Sequence, residues 1–199
     1  HESRFILIDS NNPLVGNRRT NGILSIAAHE LFHAIQFAYN TPVACDVKWI
    51  RESTATWAAN LVYPTEDSEH GEAKAFLDLP HRPIDSEASE HYDYGAYLLP
   101  YFREMTTGNT DFMRTMWVSF EQLLPTATPS PGAPPPTLQQ RMQGFRNQDV
   151  QVRRGVDGVL IGGFEKTWPR FLVRNWNRSP VDQPDGYRRW DRLIDSVYV

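Results

Sequence analysis

Cysteine is nearly missing from this chain: Cys45 is the only one in 199 residues. One thiol can form neither a disulfide within the segment nor a thiolate metal cluster, so the fold is held without either. Cys45 reads as a small buried filler, since a nucleophilic role would need a nearby base in the right geometry. Long apolar runs are absent as well. No stretch of about 18 apolar residues occurs, which excludes a membrane-spanning helix. The chain opens on HESRFILID rather than on a charged n-region and an apolar h-region. That opening reads as a fragment of a longer protein. Excess positive charge is lacking too, with 20 Lys+Arg against 24 Asp+Glu and a net charge of −4. An acidic chain has no general electrostatic hold on phosphate backbones, so nucleic acid is not an expected partner.

What is present suffices for one domain with a substantial core, or for two closely packed lobes, since 40% of residues are hydrophobic. RFILID at 4–9 reads as a short strand. From Asn21, apolar residues recur at helical spacing (Ile23, Leu24, Ile26, Ala27, Leu31, Ile35, Ala38) until Asn40-Thr41-Pro42 stops them. That helix is apolar on most sides, which predicts burial. A second helix is predicted over Lys48–Tyr63, ended by Pro64. Residues 65–91 read as an acidic loop with a turn of helix around Ala73–Leu79. Helical spacing returns at 94–105, stops at Gly108-Asn109 and restarts at Thr110 or Asp111.

The stretch 125–137 holds six of the 15 prolines and predicts a surface loop. Apolar turns follow around VDGVLIGG, then a helix over 164–176 that kinks or starts at Pro169. No internal repeat is visible. Asn177-Arg178-Ser179 is a weak sequon followed by Pro180, and Arg188, Arg189 and Arg192 read as a solvated face. The expected organisation is a single domain over 1–199, with a lobe over 1–64 and a mostly helical lobe over 92–199.

The chemistry sits in SIAAHELFHAIQ at 25–36. Residues i and i+4 share a helix face, so His29 and His33 can both aim a ring nitrogen at one ion about 2.0–2.1 Å away. Glu30 lies about 100° round the helix, where it can reach a metal-bound water instead of the metal. A catalytic zinc site takes three protein ligands and keeps one position open. The HExxHxxGxxH form is excluded, because positions 36 and 39 are Gln36 and Tyr39. Glu52 on the next helix, with eighteen residues between it and His33, completes HExxH-x18-E. Burial of a carboxylate among Trp49, Ile50, Ala55, Trp57 and Ala58 calls for a cation, and zinc held by two imidazoles supplies one. Two other readings stay open: a hydrogen-bonded cluster with Glu52 paired to an arginine, and iron(II) in place of zinc.

These residues resemble the gluzincins, zinc metallopeptidases whose third ligand is a glutamate on the helix after HExxH. RESTA at 51–55 is similar to the NEGFA-type signature, keeping its glutamate and its alanine. AHELFHAIQFAYN followed by WIRESTATWAAN is similar to a group of secreted bacterial metalloproteases with AHExFHAxQ and W-x-x-E-[GS]-x-A-x-W helices. The resemblance is specific from Ile23 to Asn60 and weaker through YGAYLLPYF. It implies a zincin-like α+β fold, a short β-sheet with the active-site helix plus a mostly helical second lobe. It also implies a secreted or cell-surface setting. There are two departures. Thr56 stands where a thermolysin-type aspartate would support the zinc histidines, so that support must come from a backbone carbonyl or another carboxylate. The GxMEN exopeptidase signature is absent from residues 1–28.

The implied activity is zinc-dependent endopeptidase hydrolysis of a peptide or protein substrate, with Glu30 taking a proton from the zinc-bound water and passing it to the leaving amine. A donor for the tetrahedral oxyanion is expected from EHYDYGAY at 90–97. Tyr94, followed by Gly95, is first choice by similarity to the Y-G start of the family's helix, then His91, then Tyr92; each also suits aromatic packing. The edge of RFILID could receive a substrate strand or be an ordinary internal strand. Competing readings are an inactive peptidase fold kept as a binding module, and a zinc hydrolase of a non-peptide bond. Oligomeric state is not legible.

Overall fold

Small side chains run through the middle of the second helix as Ser53, Thr54, Ala55, Thr56, Ala58 and Ala59, so neighbouring elements can close on it from several sides. The structure, a computed structural model, describes residues 19–39, 48–66, 69–84, 86, 91–107, 110–122, 153–154, 160–161 and 164–176. Its elements in chain order are α1 (Arg19–Ala38), α2 (Lys48–Val62), α3 (His70–Leu77), α4 (Tyr92–Gly95), α5 (Leu98–Thr107), α6 (Asp111–Gln122), β1 (Arg153–Arg154), β2 (Leu160–Ile161) and α7 (Phe164–Trp176). The chain divides into two units; of the described residues, the first holds those of 19–38 and 48–98 and the second holds Tyr39 and those of 99–176.

In the first unit α2 is the hub, packing on α1 and on α4, while α4 packs on α3. Every residue from Glu52 to Ala59 is buried. Two of the three hydroxyls this places in the interior are met locally: Thr54 Oγ1 donates to the Ile50 carbonyl at 2.7 Å and Ser53 Oγ to the same carbonyl at 3.3 Å. Trp49, Ile50 and Trp57 anchor the helix, with Phe76, Leu77, Tyr92 and Tyr97 also buried. Each such side chain contributes about 1.5–3 kcal/mol relative to exposure. The helix ends at Val62, two residues before Pro64, which disfavours helical backbone at Tyr63.

The contact of α3 with α4 depends on one missing side chain. A Cβ at Gly95 would lie 2.2 Å from the Glu72 carbonyl oxygen and 2.7 Å from Phe76 Cβ. Lys48 Nζ reaches Asp93 Oδ2 at 3.1 Å, tying the start of α2 to α4, and the Asp93 carboxylate is buried.

In the second unit, Phe102 of α5 meets Phe171 of α7 at 5.7 Å between ring centroids. Arg103 Nη1 donates to Thr167 Oγ1 at 2.7 Å, and the guanidinium lies over the Phe112 ring at 5.8 Å. The last helix runs through Pro169 rather than starting there, and so forgoes one backbone hydrogen bond within its length.

The structure corrects the expected fold class. Among the described residues 79% are helical, and their only strand pairing is two residues on two, Arg153 opposite Ile161 and Arg154 opposite Leu160. A zincin-like α+β fold with a short β-sheet beside the active-site helix is not seen there. The sheet was implied by resemblance, whereas apolar spacing near 3.6 residues governs the described segments. The strand expected at 4–9 lies outside the described residues, as do Cys45, the proline-rich stretch 125–137, Asn177, Arg188, Arg189 and Arg192.

The helix expected over 94–105 is two, α4 and α5, with a turn at Ala96-Tyr97 between them. The first helix is also less covered than its composition predicts, since Leu24, Ile26, Leu31 and Ile35 are all exposed. Among the described residues α1 packs mainly on α2, with Tyr94 of α4 against His29.

Candidate metal centre

Helical spacing puts His29 and His33 one turn apart on α1. Their rings meet edge to face, with centroids 4.7 Å apart and planes at 87°. The packing of α1 on α2 then brings in Glu52. Its Oε2 lies 3.2 Å from His29 Nε2 and 3.2 Å from His33 Nε2. The three side chains are only 14%, 16% and 9% exposed, so solvent screens their interaction poorly.

Two carboxylates compete for a role beside the imidazoles. Ligand atoms of His29, Glu30 and His33 all lie within 4.8 Å of one another, so Glu30 also borders the centre. Burial separates the two: Glu52 is buried and Glu30 exposed. A buried carboxylate must have a charged or hydrogen-bonding partner, which suits Glu52 as a ligand. An exposed one can meet water and substrate, which suits Glu30 as a base.

The spacing fits a metal. Two ligands at about 2.05 Å from a tetrahedral ion are about 3.3–3.4 Å apart, close to both observed Nε2 to Oε2 separations. Two imidazoles and one carboxylate are donors that zinc accepts, and they leave a fourth position open. Without an ion, the same spacing requires ring N–H groups donating to Oε2.

That alternative is visible in the electrostatics. Burial alone would push the His33 ring down, but hydrogen bonds with Glu52 and Gln36 and the charges of Glu52 and Glu30 outweigh it, so its pKa is raised above 6.5. Burial alone would raise Glu52, but hydrogen bonds from His29 and His33, reinforced by their charges, hold its carboxyl well below the usual carboxylate range. The site is thus built to hold positive charge against Glu52. Arg51 adds little, its Nη2 standing 3.7 Å from Glu52 Oε1.

The candidate oxyanion donors separate in space. Tyr94 stacks on His29, with ring centroids 5.6 Å apart and planes at 24°. His91 is turned to α3, its Nδ1 2.8 Å from Glu72 Oε2, and is exposed. Tyr92 is buried, packs on Phe76 and donates through its hydroxyl to the Arg82 and Pro83 carbonyls at 3.1 and 3.3 Å. Of the three, Tyr94 is the one whose ring touches a candidate ligand.

One site residue was missed by sequence reasoning. Gln36, 1% exposed, sets its Oε1 2.8 Å from His33 Nδ1. The expectation of a backbone carbonyl or a second carboxylate behind the histidines therefore gives way, at His33, to a side-chain amide. Thr56 does not serve, since its buried hydroxyl meets no hydrogen-bond partner among the described residues. The signal was available: Gln36 is three residues from His33 on the same helix, and a buried amide must find partners. Among the described residues no helix is long and apolar enough to cross a membrane. The chain matches no family model, no curated protein and no solved structure.

Proposed function

We propose that this chain is a zinc-dependent endopeptidase of the gluzincin type, with His29, His33 and Glu52 as metal ligands and Glu30 as general base. One observation carries the reading: a single oxygen of buried Glu52 stands at 3.2 Å from the Nε2 atoms of both histidines, a spacing that two ligands of one tetrahedral ion adopt.

When bound, zinc supplies Lewis-acid polarisation of the scissile carbonyl and a lowered pKa for the attacking water. The chain's own residues do the rest. Glu30, exposed at the edge of the pair, accepts the proton of that water and delivers it to the leaving amine nitrogen. Tyr94, stacked on His29, is the donor to the tetrahedral oxyanion. Glu52 balances the charge and holds both rings in place. A peptide or protein is the proposed substrate, and the same resemblance proposes a secreted or cell-surface setting.

The test pairs metal content with cleavage of an unstructured protein. The natural chain should hold one zinc, cleave, and stop on chelation. The Glu30→Gln protein should keep its zinc and lose cleavage. A Glu30→Gln protein that cleaves at the natural rate would remove Glu30 from the chemistry, and a natural chain without metal affinity would end the peptidase reading.

A further inference from the structure

We propose that Gln36 is a positioning residue that holds the proton of His33 on Nδ1 and thereby presents Nε2 as a bare lone pair to a divalent cation. This rests on the metal-site reading above and adds to it the group that orients one ligand.

The argument follows the hydrogens outward from α2. The Arg51 carbonyl can only accept, and Gln36 Nε2 lies 2.9 Å from it. The Thr54 hydroxyl spends its single hydrogen on a backbone carbonyl, Ile50 at 2.7 Å, so toward Gln36 it accepts, again at 2.9 Å from Nε2. Both amide hydrogens of Gln36 are therefore drawn to α2. Reversing the amide would set its oxygen against the Arg51 carbonyl oxygen and its NH2 against His33, breaking three contacts to make one.

Gln36 Oε1 is in consequence committed to His33, and the ring nitrogen facing it at 2.8 Å, Nδ1, must carry a hydrogen. A neutral imidazole has one N–H. With that hydrogen on Nδ1, Nε2 offers only its lone pair, and it faces the Glu52 carboxylate at 3.2 Å. Two electron-rich atoms at that distance repel unless a metal cation, or a second proton on the ring, lies between them. The relay from Ile50 through Thr54 and Gln36 to His33 thus sets both the direction and the donor character of Nε2, the role that outer partners play for metal-bound histidines. Burial protects the relay from competing water, since Gln36 and Thr54 are 1% and 2% exposed.

The experiment compares the zinc-loaded natural chain with Gln36→Met, which keeps volume but offers no comparable acceptor, and Gln36→Glu, which restores an acceptor oxygen. Zinc affinity is read by competition with a chromogenic chelator. Ring protonation is read by long-range proton–nitrogen NMR. In the natural chain His33 should ligate through Nε2 with a protonated, slowly exchanging Nδ1. Gln36→Met should lower zinc affinity about 10- to 100-fold and speed exchange at Nδ1, and Gln36→Glu, which keeps an acceptor toward His33 but sets its second oxygen against the Arg51 carbonyl, should recover part of the affinity. Natural affinity in a folded Gln36→Met protein, or His33 ligating through Nδ1, would overturn the proposal while leaving the metal site intact. If Gln36→Met does not fold, the NMR of the natural chain decides. Absence of zinc binding by the natural chain would overturn both readings together.

Discussion

Glu52 and His33 are nineteen residues apart in the chain and 3.2 Å apart in space, oxygen to Nε2, with Glu52 on α2 and His33 on α1. The same oxygen is equally far from His29 Nε2. Each contact alone would be an ordinary buried ion pair. Convergence of two ring nitrogens on one oxygen is the arrangement on which the proposed metal site rests.

Removing that oxygen should remove the proposed site. Glu52→Ala should abolish stoichiometric zinc binding, with affinity falling by more than the roughly 10- to 100-fold expected of an outer partner. Chelator competition on the folded protein measures it, and retention of natural affinity would reassign the third ligand to Glu30.

Metal-free protein should show a stability maximum traceable to this cluster. Glu52 has a depressed pKa, so its contribution is complete above 4.5 and fades as pH falls through the folded value. His33 has a raised pKa, so its contribution is complete below 6.5 and fades as pH rises through the folded value. Both are in force between 4.5 and 6.5. Thermal midpoints of chelated protein across pH, set against His33→Ala, should lose their alkaline slope in the variant; parallel curves would contradict the assignment.

Tyr94→Phe should separate stacking from hydrogen bonding. The phenyl ring can keep its place against His29 while the proposed oxyanion donor is lost. The expected outcome is a kcat about 100- to 1,000-fold lower with little change in KM. An unchanged kcat would leave Tyr94 a packing residue.

Gly95→Ala should loosen the seat of α4. The added Cβ meets the Glu72 backbone oxygen at 2.2 Å, an atom no rotamer change can move. A loss of about 1–3 kcal/mol is expected, as for other overpacked sites, read from denaturant midpoints. Zinc affinity should fall less than for Glu52→Ala, since the atoms nearest the added Cβ belong to Glu72 and Phe76 rather than to the proposed ligands.

Much of the helical framework was legible because its signals are local. Apolar spacing located α1, Pro64 stopped α2, and Asp111 opened α6 as read. The turn splitting α4 from α5 was not legible, because YGAYLLPYF keeps helical spacing across it; the chain turns where Gly95 must lie against α3. Burial of α1 was over-predicted because an apolar composition states an affinity for cover and does not supply it. The short sheet was an inference from likeness, and nothing in the periodicity of the described segments asked for it.

The sequence by itself determined which side chains could act together on one helix, since the i to i+4 spacing of His29 and His33 and the adjacency of Glu30 follow from covalent connectivity and helix pitch. It also nominated Glu52 by residue type and spacing. Only tertiary packing decided that one oxygen of Glu52 would stand equally far from both rings. It also decided that Tyr94, and neither His91 nor Tyr92, would stack on His29, and that Gln36 would tie His33 to α2. Those are distances between separate helices, set by how the small residues of α2 allow α1 and α4 to approach, and no local periodicity encodes them.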